Sequence, residues 1–447
     1  MEGPRGDEVS VGTATEVADL RARSTTVEDV SFGAALERWG APGLVWTAPD
    51  GTELLGLGAV DRFTAENERP LEAVRRAAVT RFDRISFDGP TVARPRAIGG
   101  AAFDPVADTT WPGFPSASFV VPEVQVVRTE RTTHLTVIGD GFLGESLEEC
   151  RDRLERLPPL RPTGRAGGVI DRRHRPDREG YVRAVRRALG RIRDGPLEKV
   201  VLATSLEART ETPVDVPATL ERLRRHYPEC YRFIVDPGKG PVFFGAPPER
   251  LVASRGERLH TEALAGSVPS GESPEGSASE ARRLRDQEKF QHEHRLVLED
   301  IESSLAPLAS EIDVAPQRVR TLRNIQHLET PIEARIDASD HVLDVVAALH
   351  PTPAVGGMPT EEALAVIREL EPFDRGWYAA PVGWFDGRGD GEFAVGIRSG
   401  LVDGRDLRLF AGNGIVADSD PAAEWAEALL KLDSVASAME LPDRDEP

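Results

Sequence analysis

The apolar residues of this 447-residue chain come in short runs, and none reaches the roughly 18 consecutive apolar positions that a membrane-crossing helix needs. GLVWT (43–47), SFVVPEVQVV (118–127), HLTVIG (134–139), KVVLATSL (199–206), FIVD (233–236) and PVFFGA (241–246) are separated by Gly- and Pro-bearing turns. Short apolar runs between such turns predict strands. The 41 Gly and 35 Pro follow no period and 40% of residues are hydrophobic, which excludes a fibrous or disordered chain.

With 75 acidic against 55 basic residues the formal net charge is -20, which argues against nucleic acid or an anionic membrane as partner, since both require a basic face. The two cysteines, Cys150 and Cys230, are too few and too distant in sequence for a disulfide framework or a Cys-based zinc site. MEGPRGDEVS lacks the basic and apolar regions of an export signal, so the expected compartment is the cytoplasm. Only four basic residues are lysine, at 199, 239, 289 and 431. Chance or codon bias accounts for this, or else these sites need a compact, deprotonatable amine that arginine cannot supply. Scarce lysine with a large acidic excess also suits a salt-rich, halophilic cytoplasm.

Along the chain, residues 1–25 are expected to form a flexible N-terminus, 26–165 a strand-rich part without chemical signature, 166–440 the catalytic region, and 441–447 a flexible tail. The Pro-, Gly- and Arg-rich stretch 157–177 reads as a linker. Asp177 can cap a helix that ends at Gly195 and Pro196. GSVPSGESPEGSAS (266–279) reads as a mobile loop, followed by one long helix from near Ser279 past Ile301. PVGWF, EFAVGIRS and LRLFAG, joined by DGRGDG and DGRD turns, predict three antiparallel strands before a helix from about Pro421 to Met439.

Several side chains could carry chemistry. Lys199 opens an apolar strand, where desolvation favours a neutral amine able to take a proton from water; a lysine reaching from a strand end to solvent is the alternative. Glu249, behind two prolines, could be aimed into a cleft as a general acid, or be an ordinary turn carboxylate. Lys289, Glu293 and Asp300 share one helix face, as do Glu424 and Glu427. Two converging carboxylate-bearing helices suit Mg²⁺, although solvated faces of an acidic protein give the same pattern. Alternation along EFAVGIRS points Arg398 away from Phe393, Val395 and Ile397, towards a ligand carboxylate or a cross-sheet salt bridge. AGNGIV (411–416) adds a Gly-rich passage whose amides could meet an anion.

Taken together LEKVVLA (197–203), FGAPPERLV (244–252), LAGS (264–267), HEH (292–294), QHL (326–328), LHPTPAVGG (349–357), ELEPFDRGWYAAPVGWFD (369–386), GDGEFAVGIRSG (389–400), LFAGNGIV (409–416) and SDPAAEWAEALLKL (419–432) resemble, in order, the chorismate-utilising enzymes, and most closely the isochorismate synthases among them. The resemblance implies an α/β (α+β) fold of large antiparallel sheets in a sandwich with helices outside. It implies an isomerase that adds water at C2 of chorismate while the C4 hydroxyl leaves. Carried over by position, Lys199 is the base, Glu249 the acid, and Glu293 and Glu427, with Glu424 assisting, the Mg²⁺ carboxylates. Arg398 grips a substrate carboxylate, and Ala265, Gly266, Ser267, His327, Thr352, Ala354, Tyr378, Gly412, Gly414 and Lys431 line the substrate pocket. The expected ligands are chorismate and isochorismate, with no glutaminase subunit, in a monomer or weak homodimer serving menaquinone biosynthesis. Salicylate synthase and a siderophore-pathway isochorismate synthase are the alternatives. The Lys at 199 and Ala354 speak against the ammonia-using anthranilate and aminodeoxychorismate synthases, and the retained catalytic set against a non-catalytic relative. Asn413, Phe290, Gln291 and Thr204 depart from the family pattern, with Asn413 expected near the substrate carboxylate.

Overall fold

The computed structural model describes residues 9–11, 18–106, 110–140, 147–160, 168–271, 273–323 and 325–439. These residues form two large sheets, one of thirteen and one of eleven strands, stacked on each other and antiparallel but for the pairing of Leu20–Thr26 with Ile85–Asp88. This is the α/β sandwich with outer helices that the motifs imply.

The central strands of the larger sheet are apolar on both faces because both faces are covered there, whereas its outer strands, such as Val169–Arg175, carry exposed polar residues. In Gly43–Thr47, Leu44 and Trp46 enter the core between the sheets while Val45 enters a second core beneath the outer helices. Phe243 and Phe244, and Phe233 and Ile234, divide in the same way. Helices Phe32–Trp39, Val216–His226 and Pro421–Ala438 contribute Phe32, Leu223 and Val435 to that outer core. Between the sheets, Phe119 meets Phe385 at 5.2 Å and Phe393 at 5.9 Å between ring centroids.

The sheets are joined by paired ribbons. Val242–Gly245 runs beside Ser399–Asp403 in the larger sheet, and the same two segments continue as Arg250–Arg255 beside Gly391–Val395 in the smaller one. They cross together, held by Ala246 N–H donating to Arg398 C=O (3.0 Å) and Val395 N–H donating to Glu249 C=O (3.2 Å). A second ribbon is built alike: Glu53–Leu57 beside Val124–Arg128 continues as Asp61–Ala65 beside Ala117–Val121.

The structure departs from the sequence reading in five places. Leu20–Thr26, placed mostly in a flexible N-terminus, is a strand paired on both edges, with Leu20 and Ala22 in the core. Within the linker stretch, Val169–Arg175 pairs with Lys199–Thr210, and both sheets draw strands from either side of residue 165, so no boundary of the fold lies there. The loop after Gly266 is short, because the strand Arg258–Pro269 runs on and Ser273 caps a helix by accepting from Gly276 N–H. The long helix is two, Pro274–Asp286 and Glu288–Leu305, broken where Gln287 adopts an extended ψ of 125°. EFAVGIRS is not one strand: it stops at Val395 and resumes at Ser399 in the other sheet. The 441–447 tail lies outside the described residues.

Because Phe119 is fully enclosed and packs on strands of its own sheet, Phe119→Ala is expected to lower stability by about 3–5 kcal/mol. Denaturant titration should show a reduced midpoint with an unchanged slope.

Candidate active site

A pocket opens where the sheets are joined by the C-terminal ribbon. Its walls take Lys199 from the larger sheet, Glu249 and Arg398 from the two crossings, and Glu293, Glu424, Glu427 and Lys431 from helices Glu288–Leu305 and Pro421–Ala438. Ala265, Gly266, Ser267, His327, Ala354, Tyr378, Gly412 and Gly414 also line it. Of the site residues read from sequence, Thr352 is not among the lining residues: it is buried beside the pocket, its carbonyl accepting from Val355 and Gly356 N–H. Asp300, on the proposed face with Lys289 and Glu293, is also absent from the wall; seven residues past Glu293, it lies two turns further along the helix.

Three of the four lysines converge here, each on its own glutamate. Lys199 Nζ, with no solvent exposure, is 3.0 Å from Glu293 Oε1. Lys289 Nζ is 2.9 Å from Glu424 Oε1, and Lys431 Nζ 2.9 Å from Glu427 Oε1. The sequence reading of Lys199 weighs desolvation alone, but the structure adds a carboxylate at contact distance. Burial pushes the Glu293 carboxyl up, yet Lys199, then Lys431 and Lys289, outweigh it and the net shift is downward. Glu424 is pushed up by burial and then by Glu427, against the pull of Lys289.

Lys431 also donates to Gly412 C=O (3.0 Å) and Asn413 Oδ1 (2.9 Å), so its three N–H groups are all taken within the protein. Asn413 in turn donates to Glu424 C=O and is not among the residues lining the pocket. Expected beside the substrate carboxylate, it is placed by the structure behind the pocket wall, where it braces Lys431 and the last helix. Gly414 is needed for space, since a Cβ there would lie 2.4 Å from Glu293 Oε1 and 2.7 Å from Lys199 Cε.

Arg398 reaches the pocket by a route that strand alternation does not describe. The strand has ended, the backbone takes φ +50° at Arg398, and the guanidinium donates to Ser434 Oγ at 3.2 Å. Among the described residues no carboxylate stands at ion-pair distance from it, which leaves its charge for a ligand. His327 Nδ1 donates to Gly266 C=O at 3.1 Å, so buried Nε2 is left as an acceptor without a partner among the described residues. Burial, then Arg398 and Lys431, hold this imidazole well below its usual range and therefore neutral. Tyr378 stacks on Phe410 at 5.0 Å. Phe410, Ile397 and Val355, which lie within the quoted motifs but are not singled out by them, are apolar lining residues that the tertiary structure brings here.

Glu249 is 5% exposed. Its carboxyl is pushed up to about 8 by burial first and by Glu262 next, against Lys199, Arg320 and Lys431. At neutral pH it is a carboxylic acid, able to donate a proton.

The glutamates offer only oxygen donors, the chemistry a hard divalent cation takes. Among the described residues no three His, Cys, Asp or Glu side chains are already gathered around one point, since each glutamate is drawn to its lysine. The donor set nevertheless fits such an ion, with Gly414 keeping clear the space beside Glu293.

A family model described as chorismate binding enzyme matches residues 11–440. The chain belongs to the chorismate binding enzyme family. Relatives of this chorismate binding enzyme include the isochorismate synthase MenF of Bacillus subtilis, 36% identical over 355 residues that cover 77% of this chain and 74% of the relative. The salicylate biosynthesis isochorismate synthase of Pseudomonas aeruginosa is 38% identical over 356 residues, covering 77% and 74%. Among solved structures, the menaquinone-specific isochorismate synthase MenF of Escherichia coli superposes with a TM-score of 0.80 at 28% identity, covering 95% of this chain and 96% of that one. Anthranilate synthase component I of Streptococcus pneumoniae, at 21% identity and a TM-score of 0.69 over 97% and 95% of the two chains, shares the fold.

The raised Glu249 carboxyl links stability to pH. The native chorismate binding enzyme keeps a proton that the unfolded chain releases near pH 4.5, so this stability is complete below pH 4.5 and is lost as pH rises through about 8. Glu249→Gln, neutral throughout, should match the parent protein below pH 4.5 and exceed it above pH 8 by on the order of a few kcal/mol. Parallel thermal melts across pH 4–9 would show the divergence.

Proposed function

We propose that this chorismate binding enzyme is an isochorismate synthase. The observation that supports this most directly is the placement of a fully buried lysine amine and a buried, protonated carboxyl in one pocket, on segments that belong to different parts of the two sheets. An amine and an acid that hold one proton each way can add water and release a hydroxyl without a covalent enzyme intermediate. The relatives named isochorismate synthase support the same reading.

In this mechanism Arg398 binds a substrate carboxylate, and Tyr378 and the apolar wall hold the ring. Lys199 Nζ, in its neutral form, takes a proton from water as the water oxygen bonds to C2 of chorismate. The ring double bonds shift, the C4–O bond breaks, and Glu249 gives its proton to the departing hydroxyl, which leaves as water. One water enters and one leaves, so chorismate and isochorismate have the same composition. Glu293, Glu424 and Glu427 would hold Mg²⁺, which when bound supplies a Lewis acid and an anchor for the ring carboxylate. Product destined for menaquinone is the pathway we favour, on the likeness to the two MenF proteins. The likeness to the salicylate biosynthesis isochorismate synthase keeps salicylate biosynthesis as the second reading. The working compartment is proposed to be the cytoplasm.

Chromatography of protein incubated with chorismate and Mg²⁺, at low and at molar KCl, should show isochorismate without pyruvate, abolished by EDTA; salicylate plus pyruvate would instead identify a salicylate synthase. Lys199→Ala should reduce turnover at least 1,000-fold with an unchanged circular dichroism spectrum, and normal activity would remove Lys199 as base. Because Glu249 must carry its proton, kcat/KM should fall on the alkaline side with an apparent pKa near 8.

A further inference from the structure

Glu249 acts only if its carboxyl keeps both its place and its proton, and neither is secured by the residues assigned above. Its segment lies in the ribbon crossing, where regular pairing is interrupted. Arg250–Arg255 pairs with Arg258–Pro269 only from Ala253 opposite His260, and its register with Gly391–Val395 shifts between Arg250 and Val252. The amide that follows Glu249 therefore has no ladder partner of the usual kind.

A side chain takes that role. Glu262, on the neighbouring strand and 8% exposed, accepts from Arg250 N–H at 3.0 Å. With Val395 N–H donating to Glu249 C=O, the peptide unit that follows Glu249 is held at both its N–H and its C=O. The same Glu262 oxygen accepts from Arg320 Nη1 at 3.2 Å, and Arg320 also stands 3.6 Å from Glu329. Glu262 thus lies between the pocket wall and a polar cleft on the far side, lined by Tyr231, Arg250, Arg318, Arg320 and Glu329.

We infer that Glu262 is the positioning residue of the general acid: its carboxylate pins the backbone of Glu249 through the Arg250 amide and sets a second acidic group behind the Glu249 carboxyl. This rests on the assignment of Glu249 as the acid. The groups facing the pair are Lys199, Lys431 and Arg320 towards Glu249, and Arg320, Arg250 and Glu329 towards Glu262. Burial followed by the neighbouring Glu262 is what raises the Glu249 carboxyl, so removal of the second acid lowers it.

Two substitutions separate the two effects. Glu262→Gln keeps an oxygen acceptor for the Arg250 amide and removes the acidic group; its alkaline limb of kcat/KM should move to lower pH by at least half a unit, with KM for chorismate within twofold of the parent. Glu262→Ala removes both, and should lower kcat at least tenfold while KM changes less than threefold. Glu262→Gln should restore most of that kcat at pH 6. Glu249→Gln is assayed alongside. If Glu249→Gln is inactive while both Glu262 variants, folded by circular dichroism, keep the parental kcat and alkaline limb, the inference fails and the acid assignment stands. Full activity of Glu249→Gln removes the assignment itself, and the inference with it. Failure of Glu262→Ala to fold leaves the decision to the alkaline limb of Glu262→Gln, whose constancy overturns the inference.

Discussion

Polar groups taken out of water have to be matched at contact distance, and this molecule places three lysine amines and three glutamate carboxyls within one pocket between apolar layers. The pairing decides which elements can meet. Lys199 on its strand meets Glu293 on helix Glu288–Leu305; Lys289 on that helix meets Glu424 on helix Pro421–Ala438; and Lys431 ties the last helix back to Gly412 and Asn413 on the neighbouring strand Asp406–Ile415. Two helices and the paired strands Lys199–Thr210 and Asp406–Ile415 are thus closed into a triangle, two of its sides ion pairs and the third the hydrogen bonds of Lys431. A carboxylate that moves towards a cation or a substrate changes the setting of its lysine at once, so metal, base and ligand share one electrostatic balance.

The proposed acid stands outside that triangle. Among the described residues Glu249 carries no ion pair, and enclosure and then another carboxyl push its carboxyl up where the lysines draw that of Glu293 down. One pocket therefore maintains two carboxyl groups in opposite states at the same pH, through burial without a partner in one case and lysines in the other.

Much of this was legible from the chain. Strand runs such as GLVWT and KVVLATSL were recognisable because both faces of their sheet are covered there, and Asp177 marks a helix start whether or not the rest of the fold is known, whereas the Ser273 cap was hidden in a Gly- and Ser-rich stretch that reads as loop. The scarcity of lysine pointed to the pocket, since three of its four positions lie there. What was hidden depends on tertiary context. A strand that changes sheets at Gly396 reads as one continuous strand, because apolar runs do not record which sheet they join. Arg398 was found for the wrong reason, by an alternation that ends three residues before it. The placement of Asn413 and Glu262 depended on which side chain needed a hydrogen bond, which no local pattern announces.

The ribbon crossings carry a mechanical implication. A single strand passing between two layers could slip by a pair of residues in one layer and leave the other intact. A pair that crosses together cannot, because Val242–Gly245 and Ser399–Asp403 share their alignment with Arg250–Arg255 and Gly391–Val395 through the tied peptides of Ala246 and Val395. A shift in either layer has to be carried into the other. The two layers behave as a geared pair, and the teeth that mesh are the residues on which Glu249 and Arg398 are mounted.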